Sequence, residues 1–332
     1  KSPPKAILTV LFDQGGWQYY AAHPGSWPFV KSLMDKGSLY LNAQVNHVDV
    51  ETAVGHVGVG TGAYPYQHGI ISNRFSIPPL GERQSLLGRN QSPIFIDSPS
   101  LADTWDQQVK NEAVVISYAY ADRAANGMAG HGSMFAGGDK DIVAFYDRKT
   151  GGVTSNTQFY SLPDYLKDLR IQPFLKDIQD ENALWFGHDI NNLSDVNKTP
   201  AQAQFDTEVF LKILENEPVG QDNTTDLVYL TLKSTDACGH AFGWQSDECG
   251  SVLKEQDKQL ERIMKAFEAK VGKDNFVMVL SADHGGSPLS TLAKTSFIKA
   301  EEVKDSLNAK FDTLDNGIPL VYDMLASQIY VD

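Results

Sequence analysis

The sequence lacks any apolar run approaching the roughly 18–20 residues that a membrane span needs. Its longest good run, Ala113 to Ala121, reads as a buried strand, so no membrane span is expected. Basic side chains are also scarce: 28 Lys and Arg stand against 42 Asp and Glu, for a net charge of −14. A surface that negative repels nucleic-acid polymers and anionic membranes. It admits a small phosphorylated molecule only where a local cationic centre overcomes the far field, and a metal site supplies such a centre. Cysteine is nearly absent. Cys238 and Cys249, eleven residues apart, are too few for a zinc ribbon; they can be a disulfide, two buried thiols or metal ligands. A disulfide fits an oxidising compartment, and a periplasmic or extracellular protein is expected. Four sequons (Asn90, Asn192, Asn197 and Asn223) matter only where the source glycosylates. The chain begins at Lys1, has no signal-peptide pattern, and reads as processed or trimmed. There is no internal repeat, no low-complexity tract and no sign of an oligomeric state.

What the chain does have is enough apolar material, 42% of 332 residues, to build a sizeable core. Four stretches read as buried parallel strands: Ala6 to Phe12, Ala113 to Ala121, Leu227 to Leu232 and Phe276 to Ala282. Helical patterns separate them at Trp27 to Lys36, Ala201 to Asn216 and Val252 to Val271. In the second of these Phe205, Val209, Phe210, Ile213 and Leu214 share a face. The alternation predicts an α/β fold with a mainly parallel central sheet and helices on both faces. One catalytic domain over 1–332 is expected. Residues from about 124 to 160, rich in Gly, Ala, Ser and Asp, read as a loop-rich insertion near the active face.

Each strand is followed by a carboxylate: Asp13, Asp122, Asp236 and Asp283. Ligands of open α/β sheets bind beyond the carboxyl ends of strands. One Asp there is ordinarily a turn residue or helix cap; four of them at one sheet edge make a site. Two carry histidine. Asp236-Ala-Cys-Gly-His240 sets a carboxylate and an imidazole four residues apart, and Asp283-His284-Gly-Gly sets them side by side on a glycine turn. Oxygen and nitrogen donors of this kind suit a divalent ion of the zinc type.

Thr52, in Thr52-Ala-Val-Gly-His56-Val-Gly-Val-Gly-Thr-Gly62, is the nucleophile candidate. It falls at the start of a short helix, whose positive end acts on its hydroxyl. Metal coordination activates such a hydroxyl. The same position also suits an ordinary N-cap. Flanked by Gly55 and Gly58, His56 reads as structural.

Together these motifs resemble the alkaline phosphatase superfamily. The nearest likeness is to the type I phosphodiesterase and nucleotide pyrophosphatase group and to the related bacterial phosphate-monoester alkaline phosphatases. The resemblance runs in order over most of the chain. It implies two zinc ions, one held by Asp13, Asp283, His284 and the Thr52 oxygen, the other by Asp236, His240 and a further histidine. It also implies in-line attack by Thr52 to give a phospho-threonine that water hydrolyses. Asn73, in His68-Gly-Ile-Ile-Ser-Asn73, matches an asparagine that contacts a phosphate oxygen. Arg123 matches an arginine of the monoesterases that contacts phosphate.

Two departures stand out. The monoesterases carry a lysine two residues before that arginine, where this chain has Ala121. The lost cation favours a diester monoanion over a monoester dianion. And no histidine follows His284, so the last zinc ligand is expected on a missing C-terminal portion, of which Pro319 to Val331 reads as the amphipathic start. The sulfatase branch is excluded by the lack of a Cys-x-Pro-x-Arg or Ser-x-Pro-x-Arg element. The expected activity is that of a phosphodiesterase or nucleotide pyrophosphatase on a small phosphoester. A monoester phosphatase, and a non-catalytic relative with an incomplete second metal site, are the alternatives.

Overall fold

The computed structural model describes residues 2–77, 82–85, 92–296, 298–314, 316–325 and 328–331. Asn90 lies outside them. Six strands form the central sheet: β1 (Ala6–Phe12), β2 (Val115–Ala119), β3 (Ile142–Asp147), β4 (Gly152–Thr154), β5 (Asp226–Leu232) and β6 (Phe276–Ser281). Their order is β6-β1-β5-β2-β3-β4. The first five run parallel, and β4 returns antiparallel at the edge. This is the mainly parallel α/β sheet that the alternating pattern predicts. β5 is buried along its whole length, as its unbroken apolar run requires once helices cover both faces.

Two details differ from the sequence reading. β6 is not a fully buried strand. It lies at the edge of the sheet, and its residues alternate between half-buried and exposed, with Val277 48% and Val279 45% exposed. Residues 124–160 hold more regular structure than a loop-rich insertion. They contain most of helix α2 (Asp122–Ala129) and two strands of the main sheet, β3 and β4. The run Ile142-Val-Ala-Phe-Tyr is short and set among Gly and Asp, so its periodicity is weak, yet all five residues are buried.

The main helices follow the expected faces. The helix Pro200–Asn216 buries Phe205, Val209, Phe210, Ile213 and Leu214, each contributing about 1.5–3 kcal/mol. The helix Asp247–Val271 starts a turn earlier than its apolar pattern. Ser246 Oγ accepts the Cys249 N–H at 3.2 Å, and Asp247 and Glu248 sit in its first turn. From the same helix Asp257 accepts the free amides of Phe29 and Val30, at 2.9 and 2.8 Å, and so ties down the helix Pro28–Met34. Cys238 and Cys249 are disulfide-bonded, with Cα atoms 5.6 Å apart. The bond joins the helix Ser234–Phe242 to the helix Asp247–Val271. Near the C-terminus, Val321–Leu325 and Gln328–Val331 pair as an antiparallel hairpin. Among the described residues no helix is long and apolar enough to cross a membrane.

Strand register sets the site. Phe12 pairs with Leu232 and Leu11 with Ser281. Continuing past the strand ends, Asp13 therefore comes level with Lys233 on one side and Asp283 on the other. The Asp13 amide confirms the alignment by donating to the Leu232 carbonyl at 3.0 Å. Over this edge lies α1 (Thr52–Thr61). It fits closely because Gly55 has no side chain; a Cβ there would lie 2.5 Å from the Asp283 carbonyl oxygen.

Candidate active site

Asp13, Asp236, Asp283 and His284 are all buried. Donor atoms of Asp13, Asp236 and His284 lie within 4.8 Å of one another, as do those of Asp13, His56 and Asp283. The His284 Nδ1–H donates to the Gly285 carbonyl at 2.7 Å, which leaves a lone pair on Nε2. That nitrogen lies 3.6 Å from Asp13 Oδ1 and 3.4 Å from Asp283 Oδ2. Asp13 Oδ1 and His284 Nε2 are buried without a hydrogen-bond partner, and Asp283 Oδ2 otherwise faces only His56 Nδ1, at 3.1 Å. Three acceptors facing one another, two of them without a donor, form a seat that suits a cation. Asp13, Asp283 and His284 thus fit a metal ion.

The neighbouring carboxylate is satisfied differently. Lys233 Nζ is ion-paired to both Asp13 Oδ2, at 2.9 Å, and Asp236 Oδ2, and it donates to Thr52 Oγ1 at 3.2 Å. The other Asp236 oxygen accepts from Gln14 Nε2 at 3.2 Å and lies 3.3 Å from His240 Nε2. Burial opposes ionisation of Asp236, but the Lys233 and His240 cations overcome it and hold its pKa well below the usual range. Burial likewise disfavours the Lys233 ammonium, and Asp13 and Asp236 more than offset it. For Asp13, burial and the Asp283 charge outweigh Lys233 and push its carboxyl upward. His240 itself stands at the exposed rim, one helical turn from Asp236.

Thr52 is the first residue of α1 and is buried. His56, one turn on, is wholly enclosed. Its Nδ1 lies 2.8 Å from the Thr52 carbonyl and 3.1 Å from Asp283 Oδ2, and its Nε2 lies 2.9 Å from Thr231 Oγ1. With both nitrogens engaged, it braces Asp283. Asn73 Oδ1 accepts the Ala53 N–H at 2.9 Å, while the Asn73 backbone N–H and the Ser72 hydroxyl both donate to Glu51 Oε2. Asn73 is thereby fixed to the N-terminus of α1.

A cavity of about 680 Å³ opens beside this centre, with Glu51, Asn73, Tyr120, Asp122, Arg123 and Arg148 in its wall. Arg123 Nε is buried without a hydrogen-bond partner. Arg148 lies over the Tyr120 ring, 5.0 Å from its centroid.

All the site residues read from the sequence therefore gather at one sheet edge: Asp13, Thr52, Asp236, His240, Asp283 and His284 around the carboxylates, Asn73 and Arg123 in the cavity wall. The sequence reading missed Lys233, Gln14 and Arg148. Lys233 carried a signal, being a charge directly after a buried apolar strand. Gln14 adopts a left-handed backbone conformation (φ 58°), and its amide donates to Asp283 Oδ1 at 3.0 Å.

Known proteins share both sequence and fold with this chain. Alkaline phosphatase PafA of Elizabethkingia meningoseptica is 24% identical, over 99% of this chain and 69% of its own length. Alkaline phosphatase PhoV of Synechococcus elongatus is 27% identical, over 86% of this chain. The chain spans 59% of PhoV, so it corresponds to part of that protein. The crystal structure of wild-type PafA superposes with a TM-score of 0.80 at 22% identity, covering all of this chain and 73% of that one. The profile of the type I phosphodiesterase / nucleotide pyrophosphatase family matches residues 7–323, and the chain belongs to that family of phosphoester hydrolases.

Proposed function

We propose that this chain hydrolyses small phosphate esters with Thr52 as nucleophile, through a phospho-threonine intermediate. The supporting observation is the contact chain that runs from Thr52 Oγ1 through Lys233 Nζ to Asp13, whose other oxygen is buried without a hydrogen-bond partner beside His284 Nε2. Carboxylate and imidazole donors suit zinc. Asp13, Asp283, His284 and the Thr52 oxygen would hold one ion, and Asp236 and His240 are the ligands that the family resemblance implies for a second. Bound there, zinc supplies Lewis acidity that makes the threonine hydroxyl an effective nucleophile and offsets charge on the phosphoryl group.

The chain's own residues do the rest. The N-terminus of α1 and the Lys233 ammonium favour Thr52 in its alkoxide form. With Asn73 Oδ1 held by Ala53, the Asn73 amide nitrogen is the donor toward a phosphoryl oxygen, and the Arg123 fork supplies two more hydrogen bonds. Thr52 Oγ1 forms its bond to phosphorus as the bond to the leaving alcohol breaks. Water then displaces Thr52 and releases the product. The disulfide supports an oxidising, periplasmic or extracellular setting.

The absence of a lysine at Ala121 favours a phosphodiester. A second reading, a phosphate monoester, draws on Arg148 and Lys149 in the cavity wall, which restore positive charge, and on the relatives named alkaline phosphatase. Rates on para-nitrophenyl phosphate and bis-para-nitrophenyl phosphate, wild type against Thr52→Ala, decide between them. The faster ester sets the class, and the variant loses it by on the order of 10³-fold or more. A folded, zinc-bound wild type with no Thr52-dependent turnover contradicts the proposal and marks a non-catalytic relative.

A further inference from the structure

The two halves of the metal centre differ in one respect. In the half formed by Asp13 Oδ1, Asp283 Oδ2 and His284 Nε2, Asp13 Oδ1 and His284 Nε2 lack a partner, and Asp283 Oδ2 otherwise meets only the His56 ring. In the half formed by Asp236 and His240, each acceptor already has a partner. Asp236 Oδ2 and Asp13 Oδ2 take the Lys233 ammonium, and Asp236 Oδ1 takes Gln14 Nε2 and faces His240 Nε2. Lys233 is 4% exposed, and its ammonium lies between two carboxylates from different strand ends with the Thr52 oxygen as a third contact. That is where a cation shared by Asp13 and Asp236 would sit. An ammonium and a divalent ion cannot occupy that space together at ordinary contact distances, and Coulomb repulsion between them in a buried site is strong.

We propose that Lys233 is the resident cation of the second seat, so that the centre holds one divalent ion and the Lys233 ammonium serves as its second positive charge. The inference rests on the metal-dependent reading of the same site, and it replaces the second zinc of that reading with a side chain. The ammonium is well placed for the role. It is tethered to β5 at a position fixed by strand register, and it donates directly to the hydroxyl oxygen that attacks phosphorus. A second ion can enter only by expelling Lys233 from two buried carboxylates.

The test is metal stoichiometry, which needs no activity. Wild type, Lys233→Met, Lys233→Gln and Arg148→Met are dialysed against the same buffered zinc concentration and analysed by elemental analysis. Cobalt(II) titration followed by visible absorption gives an independent count. One ion per chain in wild type and in Arg148→Met, and two in both Lys233 variants, is the expected result. Arg148→Met separates occupancy of the seat from a general loss of positive charge near the cavity. Lys233→Gln keeps a polar, uncharged end in the seat, so that a failure of Lys233→Met to fold does not decide the matter. Two ions in wild type, or one in a folded Lys233 variant, overturns the inference while leaving the metal site standing. No ion in any of the four proteins overturns the metal-dependent reading and this inference with it.

Discussion

His56 Nδ1 lies 3.1 Å from Asp283 Oδ2. The same nitrogen is 2.8 Å from the Thr52 carbonyl, so one imidazole links the backbone of the proposed nucleophile to a carboxylate of the proposed metal seat. Burial alone would lower the His56 pKa, but the Asp283 carboxylate outweighs it and holds the pKa above the ordinary value. His56→Ala is expected to weaken both zinc affinity and kcat by about 10–100-fold, the range for a residue that orients a ligand. His56→Gln should recover part of each. Zinc titration with a competing chelator, alongside kcat and KM measured separately, checks this. Unchanged zinc affinity in a folded His56→Ala would remove the positioning role.

Gly55 makes the close approach of α1 possible. A methyl there meets the Asp283 carbonyl oxygen at 2.5 Å, so Gly55→Ala must push Thr52 and Asp283 apart. A misplacement near 1 Å is worth about 10²-fold in rate. Gly55→Ala should therefore lose on the order of 10²-fold in kcat. Gly58, whose nearest contact for an added Cβ is 3.7 Å away, should tolerate the same change. Equal activity in the two variants contradicts the packing account.

The disulfide holds the helix that carries Asp236 and His240. Closing an 11-residue separation stabilises the folded chain by about 3 kcal/mol through the unfolded state. Replacing both cysteines with Ala should lower the urea midpoint accordingly, and reduction of wild type should match it. A midpoint unchanged by reduction would show that the bond does not contribute.

Asp206 gives a pH signature separate from the proposed metal ligands. It is fully buried, and Oδ1 accepts from Tyr118 at 2.9 Å and from Gln202 at 2.7 Å. Burial outweighs those hydrogen bonds and pushes its pKa up to about 7 from 3.8. The folded state therefore holds this proton more tightly than the unfolded state. Its contribution to stability is full below pH 3.8, is lost as pH rises toward about 7, and is constant above that. Asp206→Asn cannot ionise. The difference in urea stability between the variant and wild type should grow in the variant's favour across that window and then level off. Parallel pH profiles would contradict the assignment.

Much of this was legible in the residue pattern, for physical reasons. β1, β2 and β5 are buried on both faces, so they appear as continuous apolar runs, and the carboxylates that end them fall at one sheet edge because the strands are parallel. Asp236 and His240 are one helical turn apart, a local relation that spacing alone conveys. Relations that depend on register were not legible. Lys233 becomes part of the centre only because β1 pairs with β5 so as to set Asp13 beside it. Gln14 reaches Asp283 with its backbone N–H and Asp236 with its side chain through a left-handed turn that spacing does not reveal. β3 and β4 were masked by surrounding Gly and Asp, and the exposure of β6 follows from its edge position, which composition does not encode.

The central claim is that phosphoryl transfer passes through Thr52. Rapid acid quench of the zinc-loaded protein during turnover of a para-nitrophenyl ester, followed by peptide mass spectrometry, tests it most directly. The account predicts a phosphorylated peptide with the modification on Thr52, absent from Thr52→Ala. Undiminished hydrolysis by Thr52→Ala, with no phosphoryl group trapped on Thr52 in wild type, would contradict it.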